Sequence, residues 1–381
     1  MSEWTTLTLS EVCDIYDGPH ATPKKLTNGL VFLGISSISY DGRIDTSNLE
    51  YISETDFKRW TKRIAPKEND IIFSYETKLG TVALIPKNFV CCLGRRMGLL
   101  RCKENVSPKF LLYYYLSPEF QKVIHERTYS GSTVDRIPLK EMPSFPIRLP
   151  SYIEQQAIAE VLSALDDKID LLQRQNQTLE QMAATLFRQW FIEEEKEDWE
   201  DGYVEDLFVL QRGFDLPTQK RLSGEFELYA ASGLNDYIAE YKVGYPTVIT
   251  GRSGTIGKVF ISFGYSWPLN TTLFINEFKA ATLIFSYFFL KNMDLELFNS
   301  GSAVPSLNRN HIHGLEVKIP PRQLINNFEE KASALFNKKK NNLNQIQTLK
   351  SLRDTLIPKL ISGEVRLKGF AEKVDGLQDV S

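Results

Sequence analysis

The sequence predicts an α+β protein in which two β-rich domains are separated by two long helices paired as an antiparallel coiled coil. Three observations carry this expectation. The phrase "SGSTVDRIPLKEMPSFPIRLP" at residues 130–150 is matched 170 residues later by "SGSAVPSLNRNHIHGLEVKIP" at 300–320, the two sharing their opening tripeptide, Val134 with Val304, and Pro150 with Pro320. After each copy the texture changes from short apolar stretches between turns to a long run with apolar residues spaced alternately four and three apart. The two runs also differ in charge. Residues 151–201 carry a net −9 and residues 321–381 a net +4, within a chain whose total is −3. Segments of opposite sign suit one another as partners.

A chain of 381 residues accommodates two domains, and 42% apolar with 24% charged residues is ordinary globular composition. The sequence has no apolar run of 18 residues, and "MSEWTTLTLSEV" lacks signal-peptide character, so a cytoplasmic chain is expected. Cys13, Cys91, Cys92 and Cys102 include no C-x-x-C pair, which points to core thiols rather than a disulfide framework or a zinc site.

The first β-rich domain is expected over residues 1–150 and the second over 198–320. Beyond the shared phrase, "LSEVCDIYDG" at 9–18 aligns with "VEDLFVLQRG" at 204–213, placing Gly18 on Gly213. "TKLGTVALI" at 77–85 aligns with "GTIGKVFIS" at 254–262, placing Gly80 on Gly257. The domains are thus a divergent tandem duplication with a period too long for a solenoid. Stretches such as "LVFLGISSISYDG" and "YPTVITGRSGTIGKVFIS" have strand-and-hairpin texture, and "FPIRLP" and "LEVKIP" alternate as half-buried strands do. One amphipathic helix is expected in each half, "PKFLLYYYLSPEFQKVI" and "LIFSYFFLKNMDLELF".

The first long helix is expected over 151–197 and the second over 321–368, with 369–381 as a tail. The seam of the first runs through Ile158, Leu162, Leu165, Ile169, Leu172, Asn176, Leu179, Ala183, Leu186 and Trp190. Asn176 falls where a buried amide fixes register. Adding 170 gives Phe328, Ala332, Leu335, Lys339, Asn342, Ile346, Leu349, Arg353, Leu356 and Leu360, a seam with three polar flaws. Pro358 is expected to kink or end this helix. Each seam spans about 50 Å at 1.5 Å per residue, and the pairing predicts a rod with a globular module at each end. The apolar strip "AATLFRQWFI" at 183–192 is expected to await partner subunits.

Catalytic motifs are scarce. "GRSGTIGK" at 251–258 has Arg252 where a phosphate loop needs Gly, and Val259 where it needs Ser or Thr, so it reads as a Gly-rich hairpin with Arg252 at its tip. Asp70, Glu76 and Lys78 resemble a metal-dependent nuclease set, but the second copy lacks the carboxylates. His311 and His313 offer two ligands on one strand face, with no counterpart in the first copy. The chain has no Asn-Pro-Pro-aromatic stretch, G-x-S-x-G or H-E-x-x-H. A non-catalytic chain is expected.

Binding chemistry is more plentiful. Lys24, Lys25, Ser36, Ser37, Tyr40, Thr77, Lys78, Arg95 and Arg96 cluster on turns of the first half, joined by Ser132 and Arg136 from the repeated phrase. The second half offers Arg212, Arg252, Ser253, Asn270, Thr271, Ser302, Asn308 and Arg309. Such donors and acceptors suit phosphates and base edges, so nucleic acid is a candidate ligand.

Two divergent β-rich modules, each closed by G-S-x-V and a "PIRLP" or "VKIP" strand and followed by a long helix, resemble the specificity subunit (HsdS) of type I restriction-modification enzymes. "RIPLKEMPSFPIRLPSYIEQQAIAEVLSALDDKIDLL" is similar to that family's central region, and "LNTTLFINE" and "GRSGTIGKV" to its recognition-domain turns. The resemblance covers residues 4–368. It implies that each module reads one half of a bipartite DNA target and that the rod fixes their separation. It further implies two methyltransferase (HsdM) subunits and motor-nuclease (HsdR) subunits as partners, with S-adenosylmethionine, ATP and magnesium used there and no cofactor in this chain. The alternatives are a coiled-coil interaction scaffold without DNA specificity and a stand-alone nuclease using Asp70, Glu76 and Lys78.

Overall fold

The computed structural model describes residues 4–46, 49–129, 134–299 and 305–367. The chain divides into two compact units, Met1–Asp170 with Gln347–Ser381 and Leu171–Ile346. The division cuts both long helices, so each unit holds one β-rich domain and a stretch of each helix.

The two units share one topology. The first has a four-stranded sheet in the order Cys13–Asp17, Met97–Cys102, Ile71–Ser74, Val82–Leu84, and a three-stranded sheet of Glu50–Ile52, Leu30–Leu33 and Cys91–Leu93. The second repeats this with Phe208–Arg212, Thr272–Phe278, Thr247–Gly251 and Val259–Ser262, then Gly233–Ile238, Ser223–Ala230 and Ser266–Pro268. In both three-stranded sheets the central strand has one antiparallel and one parallel neighbour. A third, two-stranded ladder closes each domain. It pairs Thr5–Thr8 with Pro146–Leu149, and Glu200–Tyr203 with Glu316–Ile319. The Pro146–Leu149 strand alternates exposed and buried residues, as its sequence predicts.

The aligned glycines have matching physical reasons. A Cβ at Gly18 would lie 2.4 Å from the Met97 carbonyl oxygen, and one at Gly213 would lie 2.2 Å from that of Leu269. Gly80 and Gly257 both take left-handed backbone, at φ 79° and 85°, which side chains resist.

The predicted amphipathic helix of the first half is two helices, Pro108–Leu116 and Pro118–Arg127. Pro118 disfavours helical backbone at the preceding residue, so Ser117 is extended, and its hydroxyl accepts from the Phe120 N–H at 3.3 Å to start the second helix. The first of them is not amphipathic: Phe110 to Tyr115 are all buried. In the second half, Leu283–Asn292 is similarly buried and is followed by a 3₁₀ turn, Leu295–Phe298. The "HIH" stretch belongs to a short helix, Arg309–His313, rather than a strand. His313 is buried there and its Nε2 accepts the Leu210 N–H at 2.9 Å. All four cysteines are free thiols, and burial pushes Cys91, Cys92 and Cys102 up to about 12.

The long helices run over Tyr152–Arg188 and Arg322–Ile361. The first ends in a π-helical turn, Gln189–Glu193, before the residue expected. The second passes through Pro358 and stops one turn later. In the first unit, Ile158, Ala159 and Leu162 share a core cluster with Ile357, Leu360 and Ile361, with Leu356 partly buried against it. In the second unit the helices are antiparallel: Asn176 meets Asn342, and four residues on Glu180 meets Lys339, three residues back. Ile169, Leu172 and Ile346 are buried, while Leu165, Leu179 and Leu349 are half-buried.

Near the second domain the seam shifts by one residue. Phe187 and Phe336 are buried, whereas the expected Leu186 and Leu335 sit half-buried beside the core. A helix of 3.6 residues per turn drifts from a 3.5 repeat, and here the apolar Leu283–Asn292 helix supplies the facing rings. Phe187 packs on Phe285, Phe288 and Phe328 at 5.5–5.8 Å between centroids. The strip at 183–192 is therefore largely claimed by its own unit, with Ala183, Phe187 and Phe191 buried and Ile192 exposed. Among the described residues no helix is long and apolar enough to cross a membrane.

Candidate nucleic-acid interface

Antiparallel register brings particular loops to one end of each four-stranded sheet. In the first unit Asp17 pairs with Gly98 and Ser74 with Met97. Asp17, the Tyr75–Glu76 turn and the Arg95–Arg96 turn must therefore emerge together. The return from the helical layer joins them through bridges from Arg136 to Glu76 and to Tyr129. These loops line a cleft of about 540 Å³ that also takes in His20 and Lys140.

The second unit repeats the frame. Arg212 pairs with Leu273 and Gly251 with Thr272, so Arg212, Arg252–Ser253 and Asn270–Thr271 emerge at the same sheet end. Ser253 bridges Ser306 as Glu76 bridges Arg136. The N–H groups of Arg252 and Ser253 both donate to the Thr271 carbonyl, at 2.8 and 3.1 Å.

Different side chains stand on this common frame. In the first unit His20 Nε2 lies 2.8 Å from Asp17, the Tyr75 hydroxyl donates to Asp17 at 3.0 Å, and Arg96 Nε lies 2.7 Å from Glu76 Oε2. In the second unit Arg252 Nε donates to the Asn270 carbonyl at 3.0 Å, and Asn270 Nδ2 donates to Asp215 at 2.7 Å. Partial burial first, then the neighbouring charge of Arg212, lowers the Arg252 pKa from its ordinary value. Two guanidiniums emerging at the same sheet end attract an anion such as a phosphate.

Most of the sequence-predicted residues gather at these ends. Arg95, Arg96 and Arg136 line the first cleft, with Thr77 exposed at its rim. Arg212, Arg252, Ser253, Asn270, Thr271 and Arg309 gather in the second unit, where Arg309 Nη1 lies 3.5 Å from the Leu210 carbonyl. Asn308 is exposed there, but its Oδ1 caps the Arg309–His313 helix by accepting the Asn310 N–H at 3.0 Å.

Other predicted residues do other work. Ser37 is buried, and its hydroxyl accepts the Gly34 N–H at 3.1 Å to close a 3₁₀ turn, so it is no surface contact. Lys25 pairs with Glu50 beside the three-stranded sheet, and neither it nor Lys24 lines the cleft. Lys78 donates to the Ile38 carbonyl at 2.6 Å and lies over the exposed Tyr40 ring, which leaves Ser36 and Tyr40 on a separate surface turn. Ser132 and Ser302 lie outside the described residues.

The nuclease set is dispersed. Asp70 is buried against the Arg101 guanidinium, at 2.8 and 2.6 Å, at the far end of its strand from Glu76. Among the described residues no group of three or more His, Cys, Asp or Glu could hold a metal ion.

Sequence reasoning missed Asp17, His20, Tyr75, Tyr129 and Lys140. The Gly18–Gly213 alignment carried the signal for Asp17, because it sets that residue opposite Arg212.

Duplicated domains with matched loop clusters, interleaved with two long helices, define a repeat-built recognition protein. A family model for the type I restriction modification DNA specificity domain matches residues 1–181 and 196–349, one segment per half, and the chain belongs to that family. The MjaIX specificity subunit of Methanocaldococcus jannaschii is 25% identical over 393 residues, spanning 92% of this chain and 88% of that protein. The HindI specificity subunit of Haemophilus influenzae is 22% identical over 360 residues, 68% of this chain and 78% of that one. The crystal structure of a type I restriction-modification S subunit from M. genitalium shares the fold, with TM-score 0.57 at 20% identity over 94% of this chain and 96% of the other.

Proposed function

We propose that this chain is the DNA specificity subunit of a type I restriction-modification complex and that each unit reads one half of a bipartite double-stranded target through its loop cluster. The observation that carries this reading is the conserved frame with exchanged side chains. Sheet register, glycines and bridges agree between the units, while the residues presented at the sheet end do not. A protein that must recognise two different short sequences with one architecture needs that combination, since base edges are told apart by the donors and acceptors offered to them.

In this reading the chain supplies recognition and no catalysis. Two methyltransferase subunits use S-adenosylmethionine, and motor-nuclease subunits use ATP and magnesium. The test is the methylated motif found by single-molecule sequencing of cells carrying the complete complex. Arg252→Ala should relax one half-site, at a cost of about 1–3 kcal/mol if its fork meets a base, and leave the other intact. Relaxation of both half-sites together would overturn the assignment of one unit to each half.

A further inference from the structure

We infer that Arg96 and Glu76 of the first unit act as one reader of a single G·C base pair, Arg96 addressing the guanine and Glu76 the paired cytosine. This deepens the function proposed above and rests on the loop clusters being the DNA-reading surfaces. The two side chains line the cleft in contact, Nε to Oε2 at 2.7 Å, and both remain partly open to solvent, at 32% and 22%. Arg96 Nε is buried and, although close to Glu76 Oε2, makes no hydrogen bond, so charge holds the pair together and the terminal nitrogens remain as the fork, Nη1 reaching Thr77 Oγ1 only at 3.5 Å.

The backbone beneath the pair is strained. Arg96 and Thr77 are both left-handed, at φ 69° and 67°, where non-glycine residues are uncommon. The strain is held by the Tyr75 N–H donating to the Arg96 carbonyl at 3.2 Å and the Ile137 N–H donating to that of Tyr75 at 2.9 Å. A solvent-accessible ion pair contributes too little to offset two such residues, so stability does not account for the arrangement. In the second unit the residue aligned with Thr77 is Gly254, left-handed at φ 89° without that steric cost.

Chemistry selects the base pair. Across the major groove a G·C pair presents acceptor, acceptor, donor, from guanine N7 and O6 and cytosine N4. An A·T pair presents acceptor, donor, acceptor. A guanidinium fork with a carboxylate at its side offers donor, donor, acceptor, which complements G·C and sets the carboxylate against the thymine O4 of A·T. Ser253 and Thr271 hold the aligned places in the second unit and offer no such charged pair.

The experiment again reads the methylated motif of cells carrying the complete complex. The half-site relaxed by Arg252→Ala belongs to the second unit, and the other is the first unit's. That first half-site should contain a G·C position at which Arg96→Ala and Glu76→Ala each lower discrimination roughly tenfold or more, every other position being kept. Arg96→Lys retains the charge but not the fork, and should lose the same discrimination while competition binding by the purified complex keeps its overall affinity. That variant decides the matter if the alanine forms fail to fold. A first half-site without a G·C pair, or one unchanged by Arg96→Lys and Glu76→Ala while Arg252→Ala still relaxes the second, overturns the inference and leaves the proposed function standing. If none of these variants alters either half-site, the proposed function itself falls.

Discussion

The two units hold their stretches of the long helices in parallel ways with different materials. In the first unit Asp166, on the first long helix, takes Arg353 of the second at 2.8 Å, Arg43 at 3.1 Å and the Tyr113 hydroxyl at 2.6 Å. In the second unit Glu180 takes Lys339 of the second long helix, Lys291 and the Tyr287 hydroxyl. Both knots join an acid of the first helix, a base of the second, and a cation and a phenol of the β-rich domain. The residues are not aligned by the 170-residue repeat, which would carry Asp166 to Phe336. The duplication supplied the frame, and each unit then acquired its own way of fastening helix to domain.

The cores differ as well. Ile158, Ile357 and Ile361 in the first unit correspond to Phe328, Phe187 and Phe191 in the second. The largest expected effect sharpens this contrast. Phe328 is fully buried among Phe187, Trp190, Phe191 and Phe288. Phe328→Ala should destabilise by about 3–5 kcal/mol and Ile158→Ala by about 2–5 kcal/mol, with the phenylalanine loss the greater because it removes more contacts. Urea denaturation of both variants measures this, and equal losses would show that the ring cluster adds nothing beyond volume.

Removing the knots is expected to cost less. Asp166→Asn leaves the buried Arg353 to the largely exposed Asp354, and should cost about 2–3 kcal/mol after allowance for partial exposure. Glu180→Gln strands cations that reach solvent more easily, Lys291 being half exposed, and about 1–2 kcal/mol is expected. The ordering reverses if exposure is not what separates the two sites.

Acid should loosen the second knot. Burial alone would raise the Glu180 pKa, but Lys291, Lys339 and Tyr287 outweigh it and hold the carboxyl down to about 2, from an ordinary 4.5. A depressed carboxylate contributes stability that is complete above its unfolded pKa and is lost as pH falls from about 4.5 toward 2. Glu180→Gln should flatten that part of a stability–pH curve, and an unaltered slope would place the acid sensitivity elsewhere.

The helices, their charge asymmetry and the duplication were legible because each rests on a pattern with a period or a sign. The loop chemistry was legible only in part. Arg95, Arg96, Arg136 and Arg252 stood out as cations on turns, whereas Asp17 and Tyr75 reach the cleft only through antiparallel register, which no local pattern reveals. Ser37 looked like its neighbour Ser36, and only the 3₁₀ turn decides which of the two is buried. The one-residue shift from Leu186 to Phe187 likewise depends on the rings of a helix about 100 positions away.

The three polar flaws in the second seam all have partners. Lys339 and Arg353 sit in the two knots, and Asn342, fully buried, donates through Nδ2 to Asn176 Oδ1 at 3.0 Å. The 170-residue repeat would set Asn176 on Ile346 and Asn342 on Leu172, so the two amides hold different seam positions and meet across the antiparallel pair, where Asn342 Nδ2 satisfies Asn176 Oδ1 while Asn342 Oδ1 is buried without a partner. Asn342→Leu alone strands the Asn176 amide in an apolar seam and should cost about 1–3 kcal/mol. Asn176→Leu with Asn342→Leu removes both polar groups and should restore or exceed the original stability, because burying leucine on leucine leaves nothing unsatisfied. A buried amide pair also penalises any sliding of one helix past the other, since a shift would leave both unpaired. The double variant should therefore be as stable as the parent yet less particular about alignment, with faster amide hydrogen exchange along residues 172–179 and 339–346. If the double variant is instead less stable than either single one, the asparagine pair contributes net stability, and its role in alignment would not be needed to explain it.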